Sequence, residues 1–225
     1  RHERLDIAQM ISSSTAADLT FEFELDSRIE SSIATAGAVK VYSGNVIVNG
    51  NINTTAGGAD GDVLFKASAD ITTNSSRTIT TNNGDIVFWA DSDASGDGSI
   101  TLGDSITLNT VNGSTSSGLS GGGTIVLAGG LDDGSNDGAA TDGRPDGFAS
   151  SSVGNGIRIG TTNASSAAMY SGGGDIIIRG SSSHDSATNP DEIGVYQYGS
   201  WTANAGKGAI AIEGTSANFY GLNFV

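Results

Sequence analysis

Short apolar runs separated by polar stretches recur along the chain, and most of them begin with the same theme. A glycine and a small or acidic residue come first, and three to five mostly β-branched or aromatic residues follow. Examples are GDVLFK, GDIVFW, GSITLG, GTIVLA, GDIIIR and GAIAIE, at residues 61–66, 84–89, 98–103, 123–128, 174–179 and 208–213. Such runs, bounded by Gly, Asn, Asp and Ser, predict β-strands between turns. Helical periodicity is weak, and only residues 5–10 carry a pattern that predicts a short helix.

The spacing of these runs predicts a repeat architecture. The first apolar residues of the main runs follow one another at gaps of 17, 23, 14, 25, 32, 19 and 34 residues. These residues are Val46, Val63, Ile86, Ile100, Ile125, Ile157, Ile176 and Ile210. A period in this range is typical of solenoids and propellers, and several short strands within each repeat favour a β-solenoid. We expect coils stacked about 4.8 Å apart, with inward aliphatic columns and with Gly and Asn at positive-φ corners.

Two polar insertions and one distinct stretch interrupt the repeat. The insertions near residues 131–156 and 181–192 are predicted to leave the coil as protruding loops. Residues 1–40 contain 4 of the 10 Lys and Arg residues and almost no glycine, and residues 19–25 alternate apolar and acidic side chains. We expect residues 1–40 to form a cap or coupling segment for a solenoid domain of residues 41–225. A less regular coil is the alternative.

Composition narrows the classes of partner. The chain has 225 residues, with 25 Asp and Glu against 10 Lys and Arg, for a net charge of -15. Such a surface repels phosphate backbones, so we expect no nucleic-acid partner. The lack of cysteine excludes disulfides and thiolate metal sites. No apolar run approaches the roughly 18 residues that span a bilayer, so we expect no membrane span. Because Arg1 opens the chain without a leader pattern, we expect a piece of a longer protein.

The polar runs between the strands resemble a known kind of sequence. NGNINTTAGG at residues 49–58, TITTNNGD at residues 78–85 and the repeated GDI and GSI bursts accompany an acidic, cysteine-free composition. Over about residues 39–225 this resembles the repeat regions of secreted bacterial surface proteins, of the filamentous-haemagglutinin type and the related autotransporter passengers. The resemblance implies a right-handed parallel β-helix with irregular coils. It also implies an extracellular, cell-surface location and a role in adhesion or as a stalk.

Calcium is the cofactor that the acidic loops favour. DSDASGD, at residues 91–97, places oxygen ligands at alternate positions and a glycine at the bend, as in the first half of a calcium loop. Leu102 stands where an EF-hand has its bidentate glutamate, so the predicted site is looser than an EF-hand. DGSNDG repeats the spacing at residues 133–138. The predicted ligands are Asp91, Asp93, Ser95, Asp97, Asp133, Ser135 and Asp137. Solvated Asp and Gly turns are the alternative interpretation.

Aromatic residues near the end of the chain predict a contact surface. Tyr196, Tyr198 and Trp201 lie within six positions of one another. Exposed rings in such a row would stack on a glycan or pack against a partner chain. Ordinary packing in the core or at the end of the solenoid is the alternative.

Catalytic signals are weak. GLSGG at residues 118–122 matches the G-x-S-x-G pattern but lacks the strand-to-helix elbow that gives this motif its meaning. His184 and Asp185 are adjacent in a serine-rich run. A polysaccharide-degrading β-helix enzyme would use clustered carboxylates with a basic residue on one face. Asp142 and Asp175, with Arg144, Arg158 and Arg179, are the candidates for that role.

The sequence therefore predicts a non-enzymatic, extracellular β-solenoid with a structural or adhesive role. It would be a segment or subunit of a cell-surface fibre or surface layer. Self-association end to end would use residues 1–40 and 217–225, and cell-surface molecules would be further partners. A glycan-binding adhesin module and a polysaccharide-degrading enzyme are the alternatives.

Overall fold

The chain winds into a parallel β-helix. The computed structural model describes residues 4–7, 11–12, 17–58, 60–111, 121–135, 138–139, 141–183, 192–217 and 220–225. Strands make up 48% of the structure and helix 1%, the latter a single 3₁₀ turn at Ala56–Gly58. The strands form three parallel sheets, which we name A, B and C. Each coil contributes a strand to A, then to B, then to C, as the predicted β-solenoid requires.

Strands of successive coils pair in sequence order within each sheet, except that β15 and β16 both pair with β19. Sheet A has eight strands: β1 (Arg4–Ile7), β4 (Asp26–Ile29), β7 (Asn45–Val48), β10 (Ile71–Thr73), β13 (Ile100–Leu102), β17 (Ile157–Ile159), β20 (Val195–Gln197) and β23 (Leu222–Phe224). Sheet B has seven: β2 (Ile11–Ser12), β5 (Ile33–Ala34), β8 (Ile52–Asn53), β11 (Thr78–Thr80), β14 (Thr107–Asn109), β18 (Ser166–Tyr170) and β21 (Ser200–Asn204). Sheet C has eight: β3 (Leu19–Glu22), β6 (Val39–Ser43), β9 (Val63–Ala67), β12 (Ile86–Ala90), β15 (Ile125–Gly129), β16 (Ala149–Ser151), β19 (Ile176–Ser182) and β22 (Ile210–Ser216).

Register places equivalent apolar residues above one another in the core. In sheet C, Ile86 pairs with Ile125, and Ile125 pairs with Ile176. All three side chains are fully buried. The same stacking gives a column in sheet B and another in sheet A. Their fully buried members are Ile79, Leu108 and Met169 in sheet B and Val46, Ile71, Ile100, Ile157 and Val195 in sheet A. The predicted aliphatic columns are confirmed.

The N-terminal stretch continues the same three sheets. Strand β1 pairs with β4 in parallel, and β2 and β3 pair with β5 and β6. The short helix predicted for residues 5–10 is therefore wrong over residues 5–7, where strand pairing overrides a weak helical period, and residues 8–10 lie outside the described residues. A cap or coupling role for residues 1–40 stays a prediction.

The first polar insertion leaves the helix within sheet C and returns to it. The chain departs after β15 and re-enters as β16, which pairs with Gly180, Ser181 and Ser182 at the extended end of β19. An antiparallel bridge between Gly129 and Gly147 closes the base of the loop. Residues 184–191 of the second insertion lie outside the described residues. Within the described part of the chain, no helix has the length and hydropathy for a membrane crossing.

Candidate functional site

The recurrent Gly-Asp theme forms the corner between sheets B and C. A Cβ on Gly84, Gly123 or Gly174 would lie less than 3.0 Å from the backbone of the glycine one coil earlier. These glycines do not have positive φ, whereas Asn83 does, at 65°. The prediction of Gly and Asn at positive-φ corners therefore holds at Asn83, Gly160 and Gly199, but it does not describe the motif glycines. Glycine is required here because stacked backbones approach too closely for a side chain.

A buried hydroxyl precedes each of these corners. Thr54, Thr81, Thr110 and Ser171 are fully buried. Their hydroxyls donate to the carbonyl of the glycine that opens the next strand, at 2.5, 2.5, 2.6 and 2.5 Å. The number of intervening residues varies, so the hydroxyl preserves the corner while the loop length changes. These bonds satisfy backbone carbonyls at the turn.

The aspartate of the motif links one coil to the next. The carboxylate of Asp62 accepts the backbone N–H of Asp85 at 2.8 Å, and that of Asp85 accepts the N–H of Thr124 at 2.7 Å. Asp175 accepts the N–H of Ala209 in the same way, at 2.7 Å. Part of the chain's acidity therefore serves to join coils.

The carboxylate of Asp104 makes the same kind of link with more bonds. It accepts the backbone N–H and the hydroxyl of Thr161 at 2.7 and 2.8 Å, and those of Thr162 at 3.0 and 3.1 Å. These hydrogen bonds, that of the Thr161 N–H foremost, lower the pKa of Asp104 below its ordinary value of 3.8. The folded state therefore favours the ionised carboxylate.

Replacing Asp104 with asparagine is expected to reduce acid sensitivity. A lowered folded-state pKa contributes stability above the unfolded-state pKa, and that contribution is lost as the pH falls through the folded-state pKa. The wild type should have the higher urea midpoint near neutral pH, and its advantage over Asp104→Asn should shrink below about pH 4. Urea midpoints for both proteins between about pH 7 and pH 3 provide the measurement. A difference that stays constant with pH would contradict the assignment.

The first predicted calcium loop is closed by its own hydrogen bonds. Asp91 is buried, and its carboxylate accepts the Ser95 hydroxyl at 3.1 Å and the Gly96 N–H at 3.0 Å. Asp93 accepts the N–H of Ser95 at 3.2 Å. Asp97 points elsewhere and accepts the N–H and hydroxyl of a serine in the first insertion, at 3.3 and 3.0 Å. The four predicted ligands therefore do not converge on one point.

The second predicted calcium loop shows similar local bonding. Asp133 accepts the N–H of Ser135 at 3.0 Å, and Asp146 accepts the N–H groups of Asp133 and Gly134 at 2.7 and 2.5 Å. Asp137 lies outside the described residues. Over the described ranges, no three acidic or histidine side chains are grouped as a metal site would need. Calcium binding stays a prediction.

The predicted aromatic contacts lie on two different faces. Tyr196 is buried on the outer side of sheet A, 4.4 Å from the ring of Tyr198, which has the Arg158 guanidinium 5.0 Å from its centroid. Trp201, in sheet B, instead packs against the core, and its ring stacks on Phe224 at 6.0 Å. The three side chains do not form one row. Their role in glycan binding stays a prediction.

The candidate catalytic residues are also dispersed. Arg144 contacts the Asp85 carboxylate at 2.5 Å, and its backbone N–H bonds Asp142. Arg179 pairs with Glu213 at 3.3 Å on the outer face of sheet C, whereas Arg158 lies on sheet A. Asp142 and Arg144 thus lie next to each other in the first insertion, whereas Arg158 lies on a different sheet.

The first insertion covers part of the outer face of sheet C, a feature that the sequence reasoning missed. Val87, Trp89, Val126 and Ala128 form a second buried cluster on that face. The Trp89 indole N–H donates to the carbonyl of Gly130, in the loop, at 2.7 Å. The sequence did contain a pattern that indicates this burial. The apolar residues of GDIVFW and GTIVLA are continuous and do not alternate with polar ones, and continuous apolar runs are typical of strands buried on both faces.

Beside this cover, the outer face of sheet C opens into a groove, which we name the sheet C groove. Its volume is about 570 Å³. In-register partners Glu22, Tyr42 and Lys66 cross it from three successive coils. The full lining is Glu22, Phe23, Glu24, Tyr42, Ser43, Gly44, Lys66, Ser68 and Ser92. In LTFEFEL and VKVYS, apolar and polar residues alternate, which places them on opposite faces of the strand. This alternation was the only sequence pattern that indicated an outer face with polar and aromatic side chains at the groove.

Lys66 is one of the residues that line this groove. Its Nζ lies 3.5 Å from the centroid of the Trp89 ring. Burial lowers the pKa of Lys66, and the charge of Asp132 opposes that shift. The ammonium thus lies over the face of the Trp89 ring, and the charge of Asp132 in the covering loop acts on it.

The apolar columns reach the C-terminal end of the helix uncovered. Ile210, Leu222 and Phe224 are the Cα partners of buried residues in the preceding coil. Their exposures are 46%, 40% and 49%, and that of the adjacent Val225 is 58%. Within the described chain, no strand pairs with the far edge of β21, β22 or β23. This end therefore presents apolar side chains beside unpaired strand edges.

Comparisons of the chain with protein-family models, with curated proteins and with solved structures find no match. Inferences about function therefore rest on the geometry of the helix and its surfaces.

Proposed function

We propose that the protein is a structural rod, a subunit or segment of an extracellular fibre or surface layer, and that it acts without catalysis. The observation that supports this proposal is the continuous parallel stacking of three sheets, whose last described strands carry Ile210, Leu222, Phe224 and Val225 at 40–58% exposure. Such apolar groups beside strand edges are covered by a further layer, either another coil or a second copy of the chain, and we propose that a second copy can supply it.

The first coil carries apolar residues at matching register positions. Leu5, Ile7 and Ile11 occupy register positions that continue core columns, and so do the half-buried Leu19 and Phe21. Both ends therefore place apolar residues at the same column positions, with strands running in the same direction. A head-to-tail contact between two copies is heterologous, and a heterologous contact that does not close builds an open filament.

Charge and composition agree with an exposed, extracellular role. A net charge of -15 keeps a long rod soluble along its sides, so that association is directed to its ends. Stacked aspartates accept N–H groups from the next coil, and buried hydroxyls donate to the corner glycines within a coil, so hydrogen bonds support both the stacking and the corners of the rod. We propose the cell surface as its location, as the resemblance of the repeats implies.

Introducing a charge at the open end is expected to abolish assembly. An aspartate in place of Phe224 would bury an unpaired charge at any end-to-end contact, so Phe224→Asp should weaken association at least about a hundredfold. Sedimentation velocity over a concentration series and negative-stain electron microscopy provide the measurements. Val153→Asp is the matched control, because Val153 is 76% exposed on the first insertion, away from the end.

Two results would contradict the proposal. One is a wild-type chain that sediments as a monomer at every concentration tested. The other is a wild type that forms fibres which Phe224→Asp leaves unchanged, because the contacts would then lie on the sides of the rod.

A further inference from the structure

We propose that the sheet C groove binds a neutral saccharide chain. This inference is separate from end-to-end assembly, because the groove lies on the outer face of sheet C, whereas the proposed contact uses Leu19 and Phe21, which pack against the core. The groove combines two half-buried aromatic rings, Phe23 and Tyr42, with two exposed carboxylates, Glu22 and Glu24. The Lys66 ammonium and serine hydroxyls complete its lining.

These groups match the chemistry of a pyranose ring. A sugar has an apolar C–H face and a rim of hydroxyls, so aromatic rings such as those of Tyr42 and Phe23 can pack against the face. Carboxylates accept hydrogen bonds from the hydroxyls, and the serine hydroxyls and the lysine ammonium donate. Charge-assisted bonds to carboxylates are the stronger ones, which gives Glu22 and Glu24 the main role in orienting the ring.

The groove has the size and direction that an oligosaccharide needs. Its volume of about 570 Å³ lies within the range of roughly 300–1,000 Å³ that is typical of small-ligand sites. Glu22, Tyr42 and Lys66 come from strands β3, β6 and β9, which are stacked about 4.8 Å apart. That step is close to the length of one sugar unit in an extended chain, so a saccharide along the helix axis meets one coil per unit.

The groove is preformed. Tyr42 belongs to β6, which pairs with β3 on one side and β9 on the other. Lys66 is fixed over the Trp89 ring, which is in turn fixed by its bond to the Gly130 carbonyl. Ligand binding at strand-borne side chains requires little ordering, and this favours affinity.

Charge selects neutral over acidic saccharides. Glu22 and Glu24 repel anions, and the net charge of -15 adds to that repulsion. Lys66 does not reverse this, because it supplies one positive charge against the two carboxylates. Acidic polysaccharides are therefore excluded, and a cationic peptide is the competing ligand for the test to separate.

Titrations of the full chain with defined oligomers test the proposal. The probes are hexasaccharides of β-glucan, mannan and galactan, an oligogalacturonate and an oligolysine peptide, followed by calorimetry and by tyrosine and tryptophan fluorescence. At least one neutral hexasaccharide is expected to bind. Tyr42→Ala is expected to weaken that binding about tenfold, and Glu22→Gln to weaken it as well. Tyr220→Ala is the matched control, because Tyr220 is 70% exposed near the C-terminal end, and it should bind like the wild type.

A second variant separates lost stacking from lost folding. Tyr42→Phe keeps the ring, so its affinity should stay within about threefold of the wild type. The absence of binding to every neutral hexasaccharide would overturn the proposal, and so would tighter binding of oligogalacturonate or oligolysine. Equal losses in Tyr42→Ala and Tyr220→Ala would also overturn it. None of these results depends on fibre formation, which Tyr42→Ala should leave intact.

Discussion

Replacing Gly84 with alanine is expected to lower the free energy of unfolding by about 3 kcal/mol or more. A Cβ at this position would lie less than 3.0 Å from the carbonyl of Gly61, which stands one coil earlier in the same glycine column. The φ of Gly84 is not positive, so alanine is conformationally allowed there and the loss reports only the steric clash. Relief would require separating two coils that several hydrogen bonds join.

Gly154→Ala is the control for this substitution. Gly154 also lacks a positive φ, and the nearest atom to an added Cβ is the Ser151 hydroxyl at 3.8 Å. The free energy of unfolding of Gly154→Ala should differ from that of the wild type by no more than about 0.5 kcal/mol. Urea unfolding of both variants, followed by far-UV circular dichroism, gives the comparison. If Gly84→Ala costs no more than Gly154→Ala, backbone stacking is not the reason for the glycine column.

The columns of the core could be predicted from the sequence because their signal is local. Each run carries three or more β-formers behind a turn residue, and the spacing of runs implies stacking. Ile86, Ile125 and Ile176 each stand at the second place after the motif glycine, and the structure makes them partners in one column. A repeated position in the sequence thus becomes a repeated position in space.

The cover on sheet C could not be predicted in this way. Val87 and Val126 point away from the core, and their burial depends on where the first insertion folds. The sequence of residues 131–147 has no periodicity that predicts which face of the helix this loop packs on, because the placement of a loop is set by contacts distant in sequence. For the same reason the extent of the sheet C groove could not be predicted from the sequence, since the groove begins where the covering loop ends.

The acidic residues illustrate a second limit. An alternating Asp pattern is shared by cation loops and by turns whose carboxylates accept N–H groups. In the structure Asp62, Asp85 and Asp104 bond the backbone of the next coil. To tell a cation loop from a turn of this kind, one must know which N–H groups lie one coil away from each carboxylate. Only the stacking of coils in the structure gives that information.

Replacing Phe88 with alanine is expected to lower the free energy of unfolding by about 3–5 kcal/mol. Phe88 is fully buried, and its ring lies 5.0 Å from that of Phe65 in the coil below. The cavity can collapse little, because stacked coils hold the neighbouring side chains at fixed spacing. Phe224→Ala is the matched control at the open end, where the ring is 49% exposed, and it should lose less than about 1.5 kcal/mol.

Urea midpoints for Phe88→Ala, Phe65→Ala and the double variant extend the test from one ring to the column. The two rings are in contact, so the double variant should lose less stability than the sum of the single losses, by about 0.5–1.5 kcal/mol. Additive losses would mean that the rings do not support each other. A loss for Phe88→Ala no larger than that for Phe224→Ala would contradict a core sealed by successive coils.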